Sequence, residues 1–221
     1  METKDTDIKN IWKKNGGLGV NISEKYKTFL WLWDKTGTSL AKEIFSHFNF
    51  CFYDVSTQPR KLISTSIAQA HFCDLFDGHE DLKMIATARN PYTRTFSRFR
   101  MSFPAEKITI ENFRNFIEET IQSPNNYGCM DFNRRKPDYF VRIENLYQDY
   151  CKIPFVNESE LRKKGILLIM CNNVVNKGKG DFFWKDFYTQ PIADLVFYSS
   201  QQYFDLLNYD KNSWKKSFYA S

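Results

Sequence analysis

The chain has 221 residues, of which 42% are hydrophobic and 17% aromatic, and its formal net charge at pH 7 is +5. This composition excludes a disordered chain, because it supplies enough apolar surface for a core of ordinary size. The mild positive charge suits an anionic ligand, and the lack of a dense basic block argues against a nucleic-acid partner.

The sequence contains no membrane span, secretion signal or metal-ligand cluster. The longest apolar runs, such as 166–171, are far too short to cross a bilayer, and the polar start METKDTDIKN lacks an apolar signal segment. The five cysteines show no CxxC spacing and, with only three histidines, form no zinc pattern. We therefore expect a soluble, cytoplasmic protein with free thiols, no bound metal and no membrane partner.

Residues 1–26 are polar and are expected to form a flexible N-terminal arm, followed by one domain over residues 27–221. The glycines at 16, 17 and 19 follow no apolar strand, which favours a flexible turn over a phosphate loop.

Beyond the arm, apolar runs alternate with amphipathic helical patterns. Strands are predicted over 28–33, 50–55, 83–88, 139–143 and 166–170, and helices over 37–48, 64–76, 91–99, 110–121, 158–164 and 191–207. This alternation predicts an α/β fold, a single three-layer domain with a central, mainly parallel sheet and helices on both faces. Ligands of such folds bind beyond the carboxyl ends of the strands, where the segments 34–40 and 89–97 lie.

The first of these segments, 34–40, reads DKTGTSL and opens a helix. Free N–H groups in a first helical turn favour an anion, Gly37 permits close backbone approach, and Lys35 adds a full charge. It is not the nucleotide loop GxxxxGK[ST], since Leu32 stands where that loop has its first glycine and Lys35 precedes Gly37 instead of following it, so a kinase is disfavoured. An ordinary strand-to-helix turn capped by Thr or Ser is the alternative.

The second segment, 88–99, reads ARNPYTRTFSRF. Ser97 lies eight residues after Arg89, about two helical turns, so it returns to the same helix face. An Arg fork and a Ser hydroxyl suit a second phosphate, although a strand-end Arg can also pair with a carboxylate. Arg94 and Arg98 are expected at the surface.

Together the two segments resemble the sulfotransferases that use 3′-phosphoadenosine 5′-phosphosulfate (PAPS). The phosphosulfate loop of that family, Pro-Lys-[Ser/Thr]-Gly-[Thr/Ser]-[Thr/Ser], is similar to residues 34–39, with Asp34 in place of Pro. The 3′-phosphate motif of the family has Arg-[Asn/Asp]-Pro, a second Arg, and a Ser eight residues after the first Arg, as in 89–97. The segments 137–150, 176–181 and 187–210 resemble its compact carbohydrate-type branch.

The resemblance implies a P-loop NTPase-like sulfotransferase fold and transfer of a sulfuryl group from PAPS to an acceptor hydroxyl, expected on a carbohydrate or another small molecule. The product is 3′,5′-ADP, and no metal is required. The catalytic residues implied are Lys35, at the bridging oxygen, and His71. The cofactor-binding residues implied are Lys35, Thr36, Gly37, Thr38, Ser39, Leu40, Arg89, Ser97, Lys177 and Gly178.

The general base is the least defined part of this scheme. His71 lies in AHFC, which resembles the Gly-His-Phe stretch of the family, and a Glu is its rival. His47 is expected in the core and His79 in an exposed turn, while Glu144 suits a bracing role beside Arg142. A nucleotide kinase and a non-catalytic binder of phosphorylated nucleotides or nucleic acid on the same fold stay open as alternatives.

Overall fold

The structure is a computed structural model, which describes residues 20–23, 25–32, 36–48, 50, 81–122, 136–167, 170 and 183–215. Apart from Phe50, the strand expected over 50–55 and the helix expected over 64–76 lie outside these residues.

Among the described residues, a four-stranded sheet follows chain order, with β1 (Val20–Ser23), β2 (Thr28–Trp31), β3 (Lys83–Ala88) and β4 (Tyr139–Arg142). Strands β2, β3 and β4 are parallel, so the predicted α/β class and parallel arrangement are confirmed for them. Strand β1 is antiparallel to β2 and lies within the segment 1–26 that we expected to be a flexible arm.

The central strands are buried on both faces. Phe29 and Leu30 are neighbours in β2 with side chains on opposite faces, and both are fully buried, as are Met84 and Ile85 in β3. A continuous apolar run is typical of parallel strands, because crossover connections leave neither face to solvent.

The helices of the described residues are α1 (Thr38–Ser46), α2 (Pro91–Ser102), α3 (Ile110–Gln122), α4 (Leu146–Tyr150), α5 (Glu158–Lys163), α6 (Gln190–Ser199) and α7 (Gln201–Leu207). Short 3-10 turns lie at Ala105–Lys107, Ile143–Asn145, Trp184–Phe187 and Ser213–Lys215. The helices predicted over 37–48, 91–99, 110–121 and 158–164 are confirmed, with small shifts at their ends. No helix in these ranges has both the length and the apolar character to span a bilayer.

The strand predicted over 166–170 is wrong. Ile166, Leu167 and Met170 are helical, and Ile166 is fully buried in the core beside α1. A short apolar run has the same composition in a buried helix as in a buried strand, so periodicity alone does not distinguish them.

The described residues form two compact units that alternate along the sequence. The first contains the residues up to Ala88 and those between 136 and 170, and the second contains 89–122 and 183–215. We had expected one domain over 27–221, because no linker-like composition marks either boundary.

The core of the first unit lies between one face of the sheet and α1. Register partners on parallel strands point to the same face, which brings three strands onto this core. Its members from the sheet and from α1 are Leu30, Ile85, Val141, Ala41, Ile44 and Phe45.

Lys164 secures the carboxyl end of α1. Its Nζ donates a hydrogen bond to the carbonyl of His47 and lies 4.6 Å from the centre of the Phe48 ring. A cation at this end of a helix complements the negative pole of the helix dipole. His47 is exposed, so the expectation of a core histidine is wrong. The helix ends at Ser46, and His47 is the residue that follows its last turn.

A buried carboxylate organises the end of β4. Asp149 accepts from Arg142 Nε at 2.7 Å and Nη2 at 2.8 Å, and also from the Arg142 backbone N–H at 3.0 Å. Asn145 and Lys152 donate to the same carboxylate at 3.2 and 2.9 Å. The sequence suggested Glu144 as the brace beside Arg142, but the bidentate partner of Arg142 is Asp149.

Burial by itself raises the pKa of Asp149, but the hydrogen bonds from Arg142 and Lys152 outweigh it and hold the pKa below its usual value. Asp149→Asn is expected to lower the free energy of unfolding at neutral pH by about 3 kcal/mol, because it leaves a partly buried guanidinium without its carboxylate. Since the pKa is lower in the folded than in the unfolded state, this stabilisation is present above about pH 4 and is lost as the pH falls through the folded-state pKa.

Urea unfolding of wild type and Asp149→Asn, followed from neutral pH to about pH 2, checks this prediction. The two curves should converge in acid. Glu158→Gln, which removes an exposed ion pair with Arg162, is the control and should leave the midpoint nearly unchanged. A constant difference between wild type and Asp149→Asn at every pH would contradict the assignment.

The second unit is built on an aromatic core. Phe96 of α2 packs against Phe113 of α3 and Phe187 of the 3-10 turn, with ring centres 5.6 and 4.8 Å apart. Helices α6 and α7 complete this core through Val196 and Phe204. Much of the high phenylalanine content is therefore structural.

The single long helix predicted over 191–207 is two helices. Ser200 has non-helical backbone angles, and its carbonyl accepts from the N–H groups of Tyr203 and Phe204. The hydroxyl of Ser199 donates to the carbonyl of Val196 at 3.0 Å. Serine hydroxyls compete in this way for backbone groups, so a helix readily breaks at a Ser pair.

Helix α7 ends at an asparagine in the left-handed conformation. Asn208 adopts the left-handed conformation at φ 54°, and the N–H of Tyr209 donates to the carbonyl of Phe204 at 3.0 Å. Asn tolerates this conformation better than other residues with a side chain.

Candidate functional site

The structure describes residues 36–40 in the first unit, and Arg89 and Ser97 in the second. The remaining residues of the expected site lie outside the described residues, and these are Lys35, His71, Lys177 and Gly178. Asp34, the departure from the family pattern, lies outside them too.

The first described residue of the candidate loop is held against β3. Thr36 Oγ1 lies 2.5 Å from Thr87 Oγ1, and either hydroxyl can donate. Both side chains are about 1% exposed. Thr87 is the second-last residue of β3, so the loop lies at the carboxyl end of that strand.

Gly37 then approaches the end of β4. Its φ is +76°, and a Cβ built on it would lie 2.6 Å from Cδ1 of Ile143, the residue after β4. Glycine is thus required twice here, for the left-handed backbone and for the lack of a side chain. The loop therefore contacts the carboxyl ends of two neighbouring parallel strands, where α/β proteins bind ligands.

Helix α1 begins at this turn without a side-chain cap. Gly37 is the N-cap residue, its carbonyl accepts from the Ala41 N–H at 2.9 Å, and the first turn contains no acidic residue. The N–H groups of Thr38, Ser39 and Leu40 have no intrahelical acceptor. With the positive pole of the helix dipole, they favour an anion. No Thr or Ser side chain caps the helix, because the N-cap is Gly37, and an ordinary strand-to-helix turn stays the alternative to an anion site.

The hydroxyls of this turn have different roles. That of Thr36 is buried against Thr87, whereas the side chain of Thr38 is partly exposed and that of Ser39 is exposed. An anion at the start of α1 can therefore receive hydroxyl hydrogen bonds from Thr38 and Ser39, whereas the Thr36 hydroxyl is paired with Thr87.

In the second unit, Asn90 caps α2 and ties it to the C-terminal segment. Its Oδ1 accepts from the Tyr92 N–H at 3.0 Å, and its Nδ2 donates to Ser213 Oγ at 2.8 Å. The Tyr92 hydroxyl donates to the carbonyl of Lys211 at 2.7 Å. Burial, together with the charges of Asp194 and Asp210, raises the pKa of Tyr92, so the phenol stays protonated as a donor.

Arg89 lies along the helix face that carries Ser97. Its Nε donates to Thr93 Oγ1 at 3.0 Å, and Thr93 in turn donates to the carbonyl of Asn90 at 3.1 Å. Thr93 and Ser97 are four residues apart in α2, so their side chains share one face. All three side chains are partly exposed. The Thr93 hydroxyl uses its single proton on Asn90 and orients Arg89, so the groups that suit a phosphate monoester here are the Arg89 guanidinium and the Ser97 hydroxyl.

Sequence reasoning missed Thr87 and Thr93. Thr93 had a signal, since it is four residues from both Arg89 and Ser97. Thr87 had none, because its contact with Thr36 joins residues 51 positions apart.

The described ranges contain no group of three or more His, Cys, Asp or Glu side chains that could hold a metal ion. No protein-family model, curated protein or solved structure matches this chain. The class that the structure defines is an α/β protein with a parallel sheet and an uncapped helix start at its carboxyl edge.

Proposed function

We propose that this protein is a PAPS-dependent sulfotransferase that acts on an acceptor hydroxyl, expected on a carbohydrate. The observation that carries the proposal is the Gly37 turn. It opens α1 at the carboxyl ends of β3 and β4, leaves the first-turn N–H groups without a cap, and exposes the hydroxyl of Ser39 beside them.

In this proposal the residues of the turn act on the 5′ side of the donor, and PAPS supplies the activated sulfuryl group. The acceptor oxygen forms a bond to sulfur while the bond from sulfur to the bridging oxygen breaks, and the electron pair stays on the 5′-phosphate. Lys35, the α1 N–H groups and the hydroxyls of Thr38 and Ser39 stabilise this developing charge. His71 receives the proton of the acceptor hydroxyl.

The Arg89 guanidinium and the Ser97 hydroxyl support a role at the 3′ side. A 3′-phosphate monoester carries close to two negative charges and several acceptor oxygens, which a guanidinium and a hydroxyl can satisfy together. ATP has no phosphate at this position. These two residues therefore predict a preference for PAPS and 3′,5′-ADP over ATP.

Thermal shift of the wild-type protein with 3′,5′-ADP, 3′-AMP, 5′-AMP and ATP tests the nucleotide class. We expect the largest increase in Tm with 3′,5′-ADP, since it carries both the 5′-phosphate and the 3′-phosphate of the proposed donor. Preference for ATP would favour a nucleotide kinase, and equal shifts with all nucleotides would contradict the proposal.

Transfer from labelled PAPS to a panel of glycans and phenols tests the activity itself. Label should appear on a hydroxyl acceptor in step with release of 3′,5′-ADP. Binding of 3′,5′-ADP with no transfer to any acceptor would instead indicate a non-catalytic nucleotide-binding protein.

A further inference from the structure

We propose that Thr87 is a positioning residue for the 5′-phosphate turn, which it holds through the hydroxyl of Thr36. This inference rests on the proposed role of the α1 turn in binding the donor. Thr87 itself does not contact the ligand in this scheme. Its part is to fix the direction in which the first-turn N–H groups of α1 point.

The position of Thr87 is one at which an apolar residue would be expected. Its side chain is about 1% exposed, and it shares a sheet face with Ile85 and with its register partner Val141, both members of the core. Valine has the same shape and would pack there without a polar group. A buried hydroxyl costs free energy unless it is hydrogen-bonded. The hydrogen bond with Thr36 offsets this cost for threonine at position 87.

Two contacts of different kinds locate the turn. The Thr36 and Thr87 hydroxyls, 2.5 Å apart, join it to β3, and the close approach of Gly37 to Ile143 joins it to the end of β4. The hydroxyl contact has a preferred distance and direction, whereas the Gly37 contact only prevents closer approach. Loss of the hydroxyl contact should therefore leave the turn in place but less precisely oriented.

The consequence is specific to the 5′-phosphate. In Thr87→Val, the Kd for 3′,5′-ADP should rise about tenfold, the typical net effect of one hydrogen bond, while the Kd for 3′-AMP stays the same. Thr87→Ser retains the hydroxyl and should behave as wild type. A purely structural role would lower Tm without changing the ratio of the two Kd values.

Isothermal titration of wild type, Thr87→Val and Thr87→Ser with 3′,5′-ADP and 3′-AMP measures that ratio. Thr120→Val, which alters a buried threonine of α3 in the second unit, is the matched control and should retain the wild-type ratio. Thr36→Val removes the other hydroxyl of the same hydrogen bond. This variant replaces Thr87→Val in the titration if Thr87→Val does not fold.

The outcomes separate the two proposals. Selective loss of 3′,5′-ADP affinity in Thr87→Val or Thr36→Val supports the positioning role, and the double variant should then lose no more than either single one. An unchanged ratio in both variants overturns that role and leaves the sulfotransferase proposal intact. A wild-type protein that gains nothing from the 5′-phosphate overturns both.

Discussion

Gly37→Ala is expected to lower the free energy of unfolding by about 3 kcal/mol and to abolish measurable binding of 3′,5′-ADP. A left-handed backbone costs an alanine about 1 to 2 kcal/mol. The added Cβ would also lie 2.6 Å from Ile143 Cδ1, and such overpacking costs about 1 to 3 kcal/mol more. Relief of the overlap either rotates the Ile143 side chain or moves the turn away from β4, and a turn that moves no longer directs its N–H groups to the proposed 5′-phosphate.

Gly165 provides a matched control within the same unit. Its φ is +67°, and nothing lies within 4 Å of a Cβ built on it. Gly165→Ala should therefore show only the backbone cost, about 1 to 2 kcal/mol, with no change in Kd.

Urea unfolding and titration with 3′,5′-ADP measure both effects on the two variants. Ile143→Ala in the Gly37→Ala background removes both overlapping atoms and should recover part of the binding. Equal effects of the two glycine substitutions would show that contact with Ile143 has no influence on the turn.

Arg89→Ala is expected to remove the preference for nucleotides with a 3′-phosphate. Hydrogen bonds to a charged group contribute about 2 kcal/mol, so the Kd for 3′,5′-ADP should rise about 30-fold, to near that of 5′-AMP. Arg89→Lys keeps the charge but not the planar guanidinium, so its Kd for 3′,5′-ADP should lie between those of wild type and Arg89→Ala. The measurement is titration with 3′,5′-ADP and 5′-AMP at fixed ionic strength.

Arg98→Ala is the control for loss of one positive charge near the same helix face. Arg98 lies one residue beyond Ser97 and five beyond Thr93, which places it on a different face of α2 from these two residues. Its effect should be small and similar for both nucleotides. If Arg98→Ala and Arg89→Ala weaken both nucleotides alike, the 3′ role of Arg89 is disproved and only general charge attraction is left.

Local pattern was a good guide wherever a residue's neighbours in sequence decide its structure. Strand β3 has the bounds predicted from its apolar run, and α2 begins where Asn90 and Pro91 provide a cap and a first turn. The pattern failed at 166–170, where a short apolar run fits a buried helix as well as a buried strand. At Ser200 the local signal was present in the Ser199 and Ser200 pair, but hydrophobic periodicity continues through the pair and predicted one helix.

In the candidate site, too, some features were predicted from the sequence and others are known only from the structure. The spacing of Arg89 and Ser97 predicted that they share a helix face, and the Arg89 contact with Thr93 agrees with that placement. Whether they bind a 3′-phosphate stays a prediction. By contrast, the motif treated all hydroxyls of the α1 turn as equivalent, and only the structure separates Thr36 from Ser39.

The sequence by itself predicts the apolar strands, the capped start of α2 and the glycine turn before α1. Each of these features depends on residues within a few positions of each other. The Thr36 contact with Thr87, the approach of Gly37 to Ile143 and the binding of Asn90 to Ser213 join residues 51, 106 and 123 positions apart. Chain proximity says nothing about such pairs, because they meet only when the strands take their order in the sheet and the C-terminal segment packs on α2. Tertiary structure alone therefore decides that the Thr36 hydroxyl is buried against Thr87 while the Thr38 side chain is partly exposed.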